Sequence, residues 1–214
     1  MLQTATVEKE TYELLKKLMK DDVLSDFLLA GGTNLALQIG HRKSIDLDLF
    51  SYKSFDAHAL EKHLKKNYNF VARRVFDVDT VLCYIEDIKV DIVAHIYPLL
   101  NPPFVDDEIR LYSLQDIACM KLVAISDNGT RLKDFVDVAY LSTKMSLMDM
   151  LACYQTKYDR PNYYHAVKGL SYFNDINFDT SIDLIDHKFN WKKIEKRIRE
   201  MIKYENKVFD TFPC

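Results

Sequence analysis

A chain of 214 residues with 48% apolar side chains can bury one large core or two modest lobes, which excludes wholesale disorder. Its formal net charge of −3 gives no global basic signature, so any nucleic-acid contact must come from local patches. Four dispersed cysteines (Cys83, Cys119, Cys153 and Cys214) match neither a redox pair nor zinc-finger spacing, and no signal-peptide or spanning segment is present, so free core thiols in a cytoplasmic, non-membrane protein are expected.

Only five glycines and five prolines argue for long regular elements. Helical spacing of Tyr12, Leu14, Leu15 and Leu18 predicts a helix over residues 7–20. Phe27 to Ala30 reads as a short buried strand that ends on Gly31 and Gly32. Thr33 to Ile39 reads as a helix stopped by Gly40. Residues 44–50, Ser-Ile-Asp-Leu-Asp-Leu-Phe, read as a strand. Residues 56–66 read as an amphipathic helix. Three apolar-rich runs follow at 70–76, 80–85 and 88–94, separated by acidic turns, and predict neighbouring antiparallel strands. This order implies a mixed α/β (α+β) lobe.

Pro98 and Asn101-Pro102-Pro103 interrupt the pattern and place a boundary near residue 100, giving lobes of 1–100 and 101–214. Beyond it little reads as strand. Helices are expected from Ser113 to Ile125, from Arg131 to about Lys144, over 147–158 and 161–172, and from Trp191 to Val208.

Chemistry concentrates in the first lobe. Side chains alternate along a strand, so Asp46 and Asp48 point one way while Ile45, Leu47 and Leu49 point into a core. Two carboxylates on one rigid strand make half of a site for a hard cation, Mg2+ or alternatively Mn2+, which takes carboxylates together with substrate phosphates. The Gly31-Gly32-Thr33 turn offers backbone N–H groups at a helix start, where phosphate oxygens bind. Asp91 interrupts an otherwise apolar strand, a costly place for an unpaired charge, and is the third metal ligand and proton acceptor candidate. Arg42 and Lys43 either close over phosphates, meet an acidic partner or form a solvated basic loop. His95 shares the face of Asp91 in an unbroken strand and is expected to support the site rather than ligate.

The run Ala30-Gly31-Gly32-Thr33-Asn34-Leu35-Ala36-Leu37, followed by Gly40-His41-Arg42-Lys43-Ser44-Ile45-Asp46-Leu47-Asp48-Leu49-Phe50, closely resembles the abortive-infection nucleotidyltransferases. Those are AbiEii-like toxins of type IV toxin–antitoxin systems, in the polymerase-beta-like superfamily. Lys121 and the later segment Arg131-Leu132-Lys133-Asp134-Phe135-Val136-Asp137 are similar to the family's later motifs. The resemblance implies a nucleotidyltransferase-fold sheet followed by a helical lobe. It implies a metal-dependent toxin that moves a nucleoside monophosphate from an NTP to an acceptor hydroxyl, with an antitoxin as partner. An RNA acceptor such as a tRNA 3′ end, a small molecule and a protein side chain all remain open, as does a non-catalytic nucleotide-binding module.

The catalytic candidates are Asp46, Asp48, Asp91, Lys121 and Asp134. Gly31, Gly32, Thr33, Arg42 and Lys121 are the nucleotide-binding candidates. Physically, Lys121 would neutralise triphosphate charge as a point cation. Arg131, Lys133 and Asp137 fit a surface ion-pair network equally well. A basic run, Lys192, Lys193, Lys196, Arg197 and Arg199, could attract a phosphate backbone, with Tyr154, Tyr158, Tyr163, Tyr164 and Tyr172 as stacking candidates. An ordinary charged helix over a tyrosine-rich core reads the same way.

Overall fold

The computed structural model describes residues 1–185 and 187–214. The chain divides into two compact units, Met1–Ser113 and Leu114–Cys214.

The first unit is built on a seven-stranded mixed sheet in the order β3-β4-β5-β2-β1-β7-β6. Its strands are β1 Phe27–Leu29, β2 Leu47–Ser51, β3 Phe70–Val75, β4 Thr80–Ile85, β5 Ile88–Ala94, β6 Phe104–Asp106 and β7 Ile109–Leu111. Strand β2 runs antiparallel to β1 and parallel to β5. Strands β3, β4 and β5 form the expected antiparallel meander. Two expectations are corrected here. Strands β6 and β7 lie beyond the proline cluster yet complete this sheet, with β7 parallel to β1, so the first unit extends to Ser113. Ile45 is 60% exposed instead of buried, because regular pairing of β2 begins only at Leu47.

Three α-helices flank the sheet: α1 Lys9–Met19, α2 Gly31–Ile39 and α3 Ala57–Asn67. Helix α1 buries Leu14, Leu15 and Leu18, which join Phe27, Leu29, Leu47, Leu49, Val90 and Ile92 in one apolar core. Burying such side chains contributes roughly 1.5–3 kcal/mol each, which fixes the strand register beneath the acids. Asp56 caps α3 by accepting the N–H of Ala59. Helix α2 carries an unusual polar anchor. The buried Asn34 amide donates to Leu29 O at 2.6 Å and Tyr112 O at 3.1 Å, tying the helix to the ends of β1 and β7.

The second unit is helical: α4 Leu114–Asp127, α5 Leu132–Leu141, α6 Leu147–Tyr158, α7 Tyr164–Ser171 and α8 Trp191–Lys203. Helix α4 packs against α5, α6 and α7. A reciprocal capping box between Ser146 and Asp149 starts α6. Edge-on contacts of Trp191 with Phe135, Phe173 and Phe178 seat the start of α8. The four cysteines are free thiols, with Cys83 and Cys119 buried and Cys153 and Cys214 half-buried.

Candidate active site

The parallel pairing of β2 with β5 sets Asp48 directly opposite Asp91. Residues paired across a sheet point to the same face, so both carboxylates share one side. Asp46 lies one residue ahead of β2 and reaches the same cluster through a cation. The Lys89 ammonium sits 3.3 Å from Asp46 and 3.1 Å from Asp91. Lys89 lies two residues before Asp91 on β5 and therefore on its face. Burial lowers the affinity of Lys89 for its proton, but the two carboxylates outweigh it and the net pKa is raised. On the far side of Asp91, Arg73 from β3 approaches to 2.8 Å. A register shift between Ala72 and Arg74 re-aims this stretch of β3.

The glycine turn is built into the same place. Ala30 N–H donates to Asp48 O at 2.7 Å, so the end of β1 is clamped to the acid-bearing strand. Gly31 adopts φ +64°, and a Cβ on it would run into the Asp48 carboxylate. Both facts require glycine there. A Cβ on Gly32 would strike the guanidinium of Arg42, which is only 3% exposed and donates to Lys43 O at 3.0 Å. Arg42 is therefore not part of a solvated basic loop. Gly31, Gly32 and Thr33 form the first turn of α2, whose N-cap, Ala30, supplies no capping side chain. Backbone N–H groups at such a start are suited to an anion.

Thr33 lies in the first turn of α2 as expected, but its hydroxyl is engaged within the protein. Its side chain is fully buried, and its hydroxyl bonds to Asp46 O and lies 2.8 Å from the Ser44 hydroxyl. It holds the Asp46 loop.

The three acids suit a hard cation by donor type, since all offer carboxylate oxygens. A positive charge is already accommodated between Asp46 and Asp91, where Lys89 sits. Among the described residues no three His, Cys, Asp or Glu side chains stand ready as a metal cage. Lys89 and Arg73 lie among the acids, with Asp48 and Asp91 a register pair and Asp46 joined to Asp91 through Lys89.

Lys121 and Asp134 belong to the second unit, together with Asp137. The Lys121 ammonium lies 2.6 Å from Asp134 and 2.7 Å from Asp137. All three are at most 8% exposed, so Asp137 is a core group and not a member of a surface network. Arg131 approaches Asp134 at 3.5 Å from the surface. A second buried pair, Lys157 with Asp116 at 2.7 Å, is wholly enclosed. Its partners are far apart in the chain, so no local pattern marks it. Of the stacking candidates, Tyr154 and Tyr158 are core residues packed on each other. Arg197 is also internal and donates to Ser142 Oγ and Thr211 O. Lys192, Lys193, Lys196 and Arg199 remain exposed on α8.

The family model described as nucleotidyl transferase AbiEii toxin, Type IV TA system, matches residues 13–211. The chain belongs to the AbiEii family. This AbiEii chain is accordingly a nucleotidyltransferase. It is 31% identical over 203 residues to aq_aa25 of Aquifex aeolicus (strain VF5), described as uncharacterized, covering 92% of this chain and 96% of that protein. Two Helicobacter pylori structures share the fold at 18% identity. One, assigned as a candidate nucleotidyltransferase, has a TM-score of 0.57, with 93% of this chain and 96% of that chain covered. The other, JHP933, has a TM-score of 0.56, with 94% and 93% covered. Among the described residues, no helix of the AbiEii chain is long and apolar enough to cross a membrane.

Proposed function

We propose that the AbiEii chain transfers a nucleoside monophosphate from an NTP to an acceptor hydroxyl on RNA, a tRNA 3′ end being one such acceptor, as the toxin of a type IV pair with its antitoxin. The observation that carries this reading is the pairing of Asp48 with Asp91 directly beside the Gly31 turn. The backbone at Gly31 and Gly32 holds the triphosphate, with Arg42 behind Gly32. The acceptor hydroxyl attacks the α-phosphorus, the bond from that phosphorus to the bridging oxygen breaks, and pyrophosphate leaves. Asp91 accepts the hydroxyl proton, and Arg73 and Lys89 orient its carboxylate. Catalysis is then positioning plus charge neutralisation, with little covalent chemistry asked of the protein. Asp46, Asp48 and Asp91 would hold Mg2+ or Mn2+, which supplies charge neutralisation at the phosphates when bound.

Lys121 has its charge matched by two buried carboxylates, which favours a role for Lys121 and Asp134 in fixing α4 against α5 within the helical unit. The exposed basic face of α8 is the proposed surface for an RNA backbone. Incubation with each α-labelled NTP, Mg2+ and total RNA tests the reading. Label in RNA, lost in Asp48→Ala together with cellular toxicity, is expected. Label on a small molecule or on protein would move the acceptor assignment. No label anywhere, with toxicity unaffected by Asp48→Ala, would overturn the transfer reading.

A further inference from the structure

Beyond the acids, the same face of the sheet carries an aromatic stack. Phe50 follows Asp48 by two residues on β2 and so shares its face. Its partner on β5 is Val93, and His95 lies two residues further along. His95 N–H donates to Ser51 O at 2.7 Å, which holds the chain in place just past β5. The Phe50 and His95 rings stack at 5.8 Å between centroids with 29° between planes. Tyr97 packs on His95 in a tilted contact, 4.8 Å between centroids and 50° between planes, and is 44% exposed. Phe50 and His95 are half-buried, and Tyr97 is the exposed member of the group.

The position of this stack relative to the glycine turn fixes its partner. Thr33 bonds to Asp46 O, and the Ala30–Gly31 turn lies on Asp48, so the phosphate-binding turn sits at the Asp46 end of the acid row. Phe50, His95 and Tyr97 lie at the opposite end, about 7 Å beyond Asp48 for a two-residue step. In an in-line displacement, the nucleophile and the leaving pyrophosphate occupy opposite sides of the phosphorus. With the phosphates at one end, the attacking hydroxyl comes from the other.

We propose that Phe50, His95 and Tyr97 form the platform on which the terminal base of a single-stranded nucleic-acid acceptor stacks, presenting its hydroxyl to the acids. This rests on the transfer reading above and names the acceptor subsite of that site. Aromatic faces bind bases with little sequence preference, so the platform selects a nucleoside end and leaves sequence choice to other contacts.

Tyr97 is the residue to change, because its exposure lets a substitution leave the fold intact. In the transfer assay, Tyr97→Ala should raise KM for the RNA acceptor about tenfold or more. KM for the NTP and kcat should stay within roughly twofold, and Tyr97→Phe should restore the acceptor KM. An unchanged acceptor KM, or a rise in the NTP KM instead, would overturn the assignment. A second arm needs no turnover: fluorescence anisotropy of a labelled short oligoribonucleotide without NTP. Wild type should bind it and Tyr97→Ala should bind about tenfold more weakly. Equal binding by the two, or no binding by wild type, would sink the platform. Wild type that transfers nothing, yet shows the Tyr97-dependent binding, would instead remove the transfer reading and keep the platform.

Discussion

Lys89 holds one ammonium between Asp46 and Asp91, and so joins an acid ahead of β2 to an acid in the middle of β5. A metal held by these carboxylates would have to compete with it. Arg73 adds a second positive charge at Asp91. In the proposed function, substrate charge and metal charge would enter this cluster together, against two resident cations.

That competition is measurable. Lys89→Met removes the resident cation while leaving both carboxylates. Mn2+ binding followed by electron paramagnetic resonance should tighten by about tenfold relative to wild type. Asp91→Asn should weaken it. Unchanged Mn2+ affinity in both variants would show that the ion sits elsewhere.

Gly31→Ala meets two obstacles. The backbone at φ +64° is strained for any L side chain, and the new Cβ enters the Asp48 carboxylate. Thermal or urea unfolding should show a loss of about 1–3 kcal/mol. Transfer should fall further than stability alone explains, because Asp48 is displaced. A variant of wild-type stability and activity would contradict the described turn.

Lys121 balances two buried carboxylates. Removing it as Lys121→Met takes away the ammonium that both buried carboxylates face and should cost about 3–5 kcal/mol in urea unfolding. Adding Asp134→Asn and Asp137→Asn should recover much of that loss, since no buried charge then remains unmatched. If Lys121→Met is as stable as wild type, the cluster is not the buried network described.

Acid sensitivity should trace to Asp21. Burial pushes its carboxyl pKa up, but hydrogen bonds from His63, the Tyr68 hydroxyl and the Val23 N–H outweigh this, and the net pKa is lowered. A carboxyl pKa lower in the folded than in the unfolded state stabilises above the unfolded value, about 3.9. That contribution disappears as pH falls from there through the folded value. Wild type should therefore lose stability in this range more steeply than Asp21→Asn, by unfolding measured against pH. Parallel curves would remove Asp21 from the account.

Much of the site was legible because strand alternation is a strict rule. It put Asp46 and Asp48 on one side, while the pairing of Asp48 with Asp91 needed the β2–β5 register; the same rule, applied to Lys89 two residues before Asp91, would have found the bridging lysine. Ile45 was misread because alternation holds only where a strand is paired, and pairing starts at Leu47. Strands β6 and β7 have three residues each, too few for a period-two pattern to stand out beside the prolines. Asp137 and the Asp116–Lys157 pair were hidden because burial of a charge depends on partners that only the tertiary fold supplies. Thr33 shows the limit of motif reading: the residue lies in the expected place, but its hydroxyl is spent on the Asp46 backbone.

The central claim is that the acid row beneath the glycine turn performs the transfer. The direct measurement compares wild type and Asp48→Asn in label transfer from an α-labelled NTP to RNA, at matched thermal stability. The neutral amide keeps the shape and removes the charge, so transfer should fall by at least about a hundredfold. Transfer by Asp48→Asn at the wild-type rate would contradict the account.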